Sequence, residues 1–242
     1  MSHRWKVAPL ILAAVALVAS PPMSFAQGKM RFGISGFGGY NSYKMDDVND
    51  QIDLTNADPD VTAAGISMDK ISNGLSLGGG LHAWVTKDFL CSLEYERLMA
   101  SSKDEGNSGG SPVTVELKVP ANAFLLTGAY LFPSTSKARF GLGAGLGYYS
   151  TSGTLEISAP GITLSDEAKG NGIGFHLLGV MDYAASSQVH LGVRAGYRMA
   201  KTSDLEDSTG DKLENVDGSK SQADWSGVMA RVGLTLLLGR AD

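Results

Sequence analysis

The chain has one cysteine, Cys91, so no internal disulfide framework can hold it together. Charged residues make up 19% of it, below the roughly 25% usual in soluble domains. Basic residues are outnumbered, with a net charge of −5, which argues against a nucleic-acid partner. Past residue 26 no segment reaches the roughly 18 uninterrupted apolar residues of a membrane helix. These absences leave two candidates, a soluble exported all-β protein and a β-barrel of the outer membrane.

The N-terminal segment is what places the chain outside the cytoplasm. Arg4 and Lys6 precede an apolar run, Val7–Ala19, that is too short to span, and Ser24-Phe25-Ala26 is a small-x-small cleavage site. Residues 1–26 are therefore expected to be a cleaved, Sec-type signal peptide, with 27–242 as a single domain. No cysteine near the cleavage site suggests a lipid anchor. Losing Arg4 and Lys6 takes the net charge from −5 to −7.

Glycine is the residue in excess, with 31 in the chain. Gly141, Gly143, Gly145 and Gly147 alternate with Phe140, Leu142, Ala144, Leu146 and Tyr148. The spacing fails the G-x-G-x-x-G dinucleotide fingerprint and has strand period instead. Similar alternation recurs in eight segments from Met30 to Leu238. In Val189–Ala200 the apolar face is Val189, Leu191, Val193, Ala195, Tyr197 and Met199; in Gly172–Tyr183 it is Ile173, Phe175, Leu177, Met181 and Tyr183. The fourth segment, Val113–Phe132, changes apolar parity near Pro120, where a bulge is expected.

The connections separate the two candidates. Three are tight (86–88, 133–138, 186–188) and four are long (44–70, 101–112, 153–170, 202–222), in strict alternation. All short turns then fall at one end and all long loops at the other, as in outer-membrane barrels with short periplasmic turns and long extracellular loops. The expected fold is all-β, an eight-stranded antiparallel up-and-down transmembrane barrel. An eight-stranded barrel has little interior room, so the four glycines read as a bare inner face. Phe140, Leu142, Leu146, Tyr148, Ile173, Phe175, Val193 and Tyr197 read as lipid-facing. In the third long connection, Pro160-Gly161 is a turn signal between Leu155/Ile157 and Ile162/Leu164, so a hairpin should continue above the membrane.

The segments KVPANAFLLTGAYLFP, RFGLGAGLGYYS and SGVMARVGLTLLL make the chain resemble the small outer-membrane barrels of the OmpA/OmpX type, close to the OmpW-like group. The resemblance implies the barrel architecture, a Gram-negative cell envelope and passage through the outer-membrane assembly machinery. It is poor for function, since such barrels serve as pores, anchors, adhesins and enzymes. Family members usually end the last strand with an aromatic residue, whereas this chain ends Leu238-Gly239-Arg240-Ala241-Asp242. No peptidoglycan-binding domain is expected after the barrel.

The inward-facing ionisable residues are expected to be Glu94, Glu96, His176, Asp182, Arg194, Arg198 and Arg231. Charges in a narrow lumen must be paired, and they form either a fixed polar plug, the preferred reading, or the gate of a narrow porin-like channel. A third reading is a lipid A acyltransferase or deacylase, which needs a nucleophile or base at the outer rim. Only His176 lies near that rim, with Tyr149, Ser150 and Ser152 as neighbours, and no His-x-Ser pair occurs. Asp46–Asp60 is acidic but lacks calcium-loop spacing. No catalytic residue, metal or cofactor is expected. The expected partners are membrane lipid, lipopolysaccharide and the assembly machinery, together with a surface protein or host ligand.

Overall fold

The computed structural model describes residues 30–134, 136–215 and 218–238. The expected signal peptide and the C-terminal residues 239–242 lie outside that set. Eleven strands form: β1 (Arg31–Ser42), β2 (Asn73–Trp84), β3 (Phe89–Leu98), β4 (Ser101–Ser108), β5 (Ser111–Lys118), β6 (Ala121–Leu131), β7 (Ala138–Ala159), β8 (Ile162–Ala184), β9 (Val189–Ala200), β10 (Glu206–Asp207) and β11 (Gly227–Leu238). Two helices, α1 (Asp46–Ala57) and α2 (Pro59–Ala63), follow β1.

Eight of the strands close a ring. β1 pairs with β2, β2 with β3, β3 with β6, β6 with β7, β7 with β8, β8 with β9, β9 with β11, and β11 returns to β1, every pair antiparallel. Closure leaves no sheet edge in the wall, which is what a strand structure needs where no water can satisfy backbone groups. Among the described residues no helix is long and apolar enough to cross a membrane.

The ring's polarity is the reverse of a water-soluble domain. Outward residues are large and apolar: Leu142 is 64% exposed, Ile173 72% and Leu234 52%. Inward ones include buried Glu94, Glu96, His176, Arg198 and Arg231. Aromatics flank the outer band, with Phe32, Phe89, Phe132 and Phe140 toward the short turns and Tyr40, Tyr95, Phe124 and Tyr197 toward the long connections. Phe32 and Tyr40 stand eight residues apart on β1. That is about 26 Å along the strand and about 20 Å across a bilayer at the tilt of roughly 40° usual in such barrels. Water would tolerate neither so wide an apolar belt nor so charged a core. The belt lies in lipid.

The short turns are built alike. In 85–88 and 185–188 a hydroxyl caps the bend, Thr86 accepting from Asp88 N and Ser186 from Gln188 N, both at 3.2 Å. By the rule for these barrels this end is periplasmic.

The opposite end departs from the sequence-based expectation, because most of its long connections are folded. Residues 44–70 contain α1 and α2, and 101–112 is largely β4, which turns back through Gly109 and Gly110 (φ 58° and 85°) into β5. The bulge expected near Pro120 is a full change of partner. β5 pairs with β4 and the upper part of β7, whereas β6 pairs with β3 and the lower part of β7. Proline has no N–H for a ladder, and here its carbonyl accepts from Ser152 N at 3.2 Å. β7 and β8 run unbroken through the turn at Gly161 (φ 82°), as the Pro-Gly signal implied. Their paired tip stands about 35 Å along the strand beyond Tyr148.

Candidate functional site

From the periplasmic end upward, the lumen is stacked in layers. Trp84, Leu90, Leu131, Leu178, Val180 and Leu237 form a buried apolar floor. Asp182 sits within it, taking an ion pair from Arg139 Nη2 at 2.5 Å and a bond to His190 Nδ1 at 3.0 Å. The other Arg139 nitrogen donates to the Lys87 carbonyl at 2.7 Å, which ties a periplasmic turn to the floor. Trp84 lies edge-on between His82 and His190, with ring centroids 5.8 and 5.6 Å away.

Above the floor is the ionic layer. Glu94 is bonded by Arg194, by Arg231 at 3.4 Å and by His82 Nε2 at 3.1 Å. Glu96 accepts from Arg198 Nη2 at 2.7 Å and faces Arg231 Nη1 at 3.6 Å. Three guanidinium groups thus meet two carboxylates, and aromatic faces take up the excess. Arg231 stands 4.8 Å from the Phe37 ring centre and Arg198 5.6 Å from that of Tyr149.

Five of the seven ionisable residues singled out from sequence therefore form one network. Asp182 does not join it, because it pairs with Arg139 and His190 at the level of the floor. His176 stands beside the network without bonding to it, its Nε2 within 2.8 Å of Thr127 Oγ1. His82, His190 and Arg139 are participants that sequence reasoning did not include. Their inward parity on β2, β9 and β7 was the available signal.

The glycine face of β7 makes this packing possible. A Cβ at Gly145 would lie 2.5 Å from His176 Nε2, and one at Gly147 would lie 2.7 Å from a Leu125 methyl and 2.8 Å from the Tyr149 ring. The bare strand is space for its neighbours' side chains. A cavity of about 30 Å³ lies beside Glu94, Gly192 and Arg194, room for about one water molecule.

The residues weighed for lipid A chemistry are not assembled. His176 and Tyr149 are buried in the lumen with no bond between them, while Ser150 and Ser152 have the outward parity of β7. Among the described residues no group of three or more His, Cys, Asp or Glu could hold a metal ion. On the outer wall Phe140, Leu142, Leu146, Ile173, Phe175 and Tyr197 are exposed, whereas Tyr148 and Val193 are half-buried between neighbours.

Over the mouth lies a cap packed like an ordinary soluble protein. Met45, Val48 and Ile52 bring one face of α1 onto Ile66, Met68 and Ile71 of the returning chain and onto Val115, Leu205 and Trp225. Trp225 is fully buried, meets Tyr43 edge-on at 4.8 Å and donates to Thr151 Oγ1 at 2.8 Å. Two asparagines of α1 imitate strand pairing. Asn49 and Asn56 each take a backbone N–H and give to a carbonyl, at Ile71 (2.7 and 3.0 Å) and Met68 (2.8 and 2.9 Å). Asp104 of β4 accepts Ser67 N at 2.6 Å, and that N–H holds its carboxyl below the usual range. Asp207 is held low by the Thr209 hydroxyl and the backbone N–H of Asp211.

No family profile matches the chain, and no curated protein does. Among solved structures, a major outer membrane protein from Thermus thermophilus is similar at 14% identity and TM-score 0.48, covering 87% of this chain and 100% of that one. Ail, the attachment invasion locus protein of Yersinia pestis, is similar at 10% identity and TM-score 0.41, with 87% and 100% covered. Neisserial surface protein A follows at 16% and 0.39, with 85% and 96% covered. The closed eight-stranded ring and its reversed polarity are by themselves those of a small outer-membrane β-barrel.

Proposed function

We propose that the protein is a plugged outer-membrane anchor that presents a folded cap at the cell surface for contact with lipopolysaccharide, a host or a partner protein. One observation supports this above the rest: successive layers of side chains obstruct the lumen. An apolar floor, a bonded ionic layer and the apolar underside of the cap follow one another, and the cavity beside the ionic layer has room for about one water. Opening such a path would mean breaking buried ion pairs, at several kcal/mol each. The raised β7–β8 tip adds to the surface reading, because Ile162 and Leu164 stay more than 60% exposed in water there.

Planar-bilayer recording of the refolded mature chain tests the proposal, and a silent bilayer is the expected result. Reproducible conductance steps that change in Glu94→Ala or Arg194→Ala would replace it with a narrow channel gated by the ionic layer.

A further inference from the structure

The cap contains a second cavity, of about 210 Å³, that shares no lining residue with the ionic layer. It opens between α1, the extended parts of β7 and β8, and the chain that follows β9. Its walls are mainly aliphatic, with Val48, Met68, Val119, Leu155, Leu205 and Leu213. An aliphatic cavity of roughly 150 Å³ is large enough for a benzene ring, so this one can take a ring with a short chain.

Two features make the cavity selective. Gly153 forms part of the wall, and a Cβ there would come no nearer than 3.9 Å to any atom. A side chain at Gly153 would enter that space, unlike one at Gly145 or Gly147, where neighbours already occupy it. The rim is acidic, with Asp166, Glu167 and Glu214. Glu167 is paired with Lys169 at 3.1 Å, and Glu214 with Lys220. Asp166 sits opposite Leu155 across the β7–β8 ladder and has no basic partner among the described residues. An aliphatic pocket with one uncompensated carboxylate at its mouth complements an apolar body carrying a positive charge.

We infer that the cap binds a small organic cation, its apolar part in the cavity and its ammonium group against Asp166. This reaches beyond the proposed surface role and holds whether or not the lumen conducts. Trp225 is a built-in reporter, since its indole is bonded to Thr151, which lines the cavity.

The test uses the refolded chain in lipid nanodiscs, carrying Trp84→Phe so that Trp225 is the mature chain's only indole. The probe is 4-phenylbutylamine, with 4-phenylbutanol and 4-phenylbutyrate as neutral and anionic controls. The amine should change Trp225 emission saturably, with the alcohol at least fivefold weaker and the carboxylate weaker still. Asp166→Asn should bring the amine to the level of the alcohol. Gly153→Leu fills the cavity and should weaken the amine at least tenfold. Ala168→Leu, in the same wall, should do likewise and covers the case in which the first variant does not refold. Equal responses to amine and carboxylate, or a response that survives both filling variants, would overturn the inference.

Discussion

The barrel wall and the cap come from one chain, yet they solve opposite packing problems. In the wall, apolar side chains point out and charges point in; in the cap, Met45, Ile52 and Trp225 are fully buried and the acidic groups face water. The difference lies in the solvent. Lipid offers apolar surface no gain from burial, so the lumen is held by hydrogen bonds, ion pairs and close contact. Water drives the cap's aliphatic residues together at about 25 cal/mol for each Å² removed from it.

The contrast can be broken most forcefully in the ionic layer. Arg198→Met leaves Glu96 with only Arg231 at 3.6 Å, and stranding a buried charge should cost about 3–5 kcal/mol in urea unfolding from lipid vesicles. The double variant Glu96→Leu/Arg198→Met should recover most of that loss. A single variant as stable as the double one would show that the layer is not held by pairing.

On the outer wall, Leu234→Arg should cost about 2–4 kcal/mol near the bilayer centre, where Leu234 pairs with Gly36 midway between Phe32 and Tyr40, and Tyr40→Arg about 1 kcal/mol or less at the interface. Equal costs in the same unfolding assay would contradict the position given to the lipid belt.

Trp225→Phe keeps most of the ring but leaves the Thr151 hydroxyl unpaired, at about 1–3 kcal/mol. The loss should appear as faster hydrogen exchange in 44–72, while the barrel's resistance to unfolding stays unchanged. A loss spread evenly over wall and cap would mean that the two are one cooperative unit.

The smallest effect concerns acid. A carboxyl whose folded pKa is depressed stabilises the fold above its unfolded value, near 4, and that stability is lost as pH falls through the folded value. Asp104, which holds Ser67 to β4, should therefore release 64–69 only below about pH 4. Hydrogen exchange, corrected for its intrinsic pH dependence, should rise there in the wild type and already at neutral pH in Asp104→Asn. Protection of 64–69 unchanged by acid and by the substitution would dismiss the contact.

The wall was legible in the sequence because strand period and lumen parity are the same signal. Once Phe140 and Leu142 point outward, Gly141 and Gly143 must point inward, and Glu94, Glu96, Arg194, Arg198 and Arg231 fall on inner faces by counting alone. Which inner residues meet is not a matter of parity. Asp182 went to Arg139 and His190 because height along the barrel decides contact, and height depends on strand stagger. The cap was not legible for another reason. In Asp46–Asp60 the helix shows only Val48 and Ile52 at a spacing of four among acidic residues, and its main partners are distant in sequence. The Asp58-Pro59 start of α2, where Asp58 accepts from Asp60 N at 2.8 Å, was the clearer local sign.

The ionic layer also bears on the order in which the molecule can be made. Glu94 lies 100 residues before Arg194 and 137 before Arg231, and Glu96 lies 102 before Arg198. These partners stand on opposite sides of the ring, so no bond between them can exist while the wall is an open ribbon. A half-built sheet would carry both carboxylates toward lipid without their guanidinium partners, a state too costly to persist there. Charge neutralisation and wall closure are thus one event. Its final participant is Arg231, delivered by the strand that also supplies the last ladder to β1.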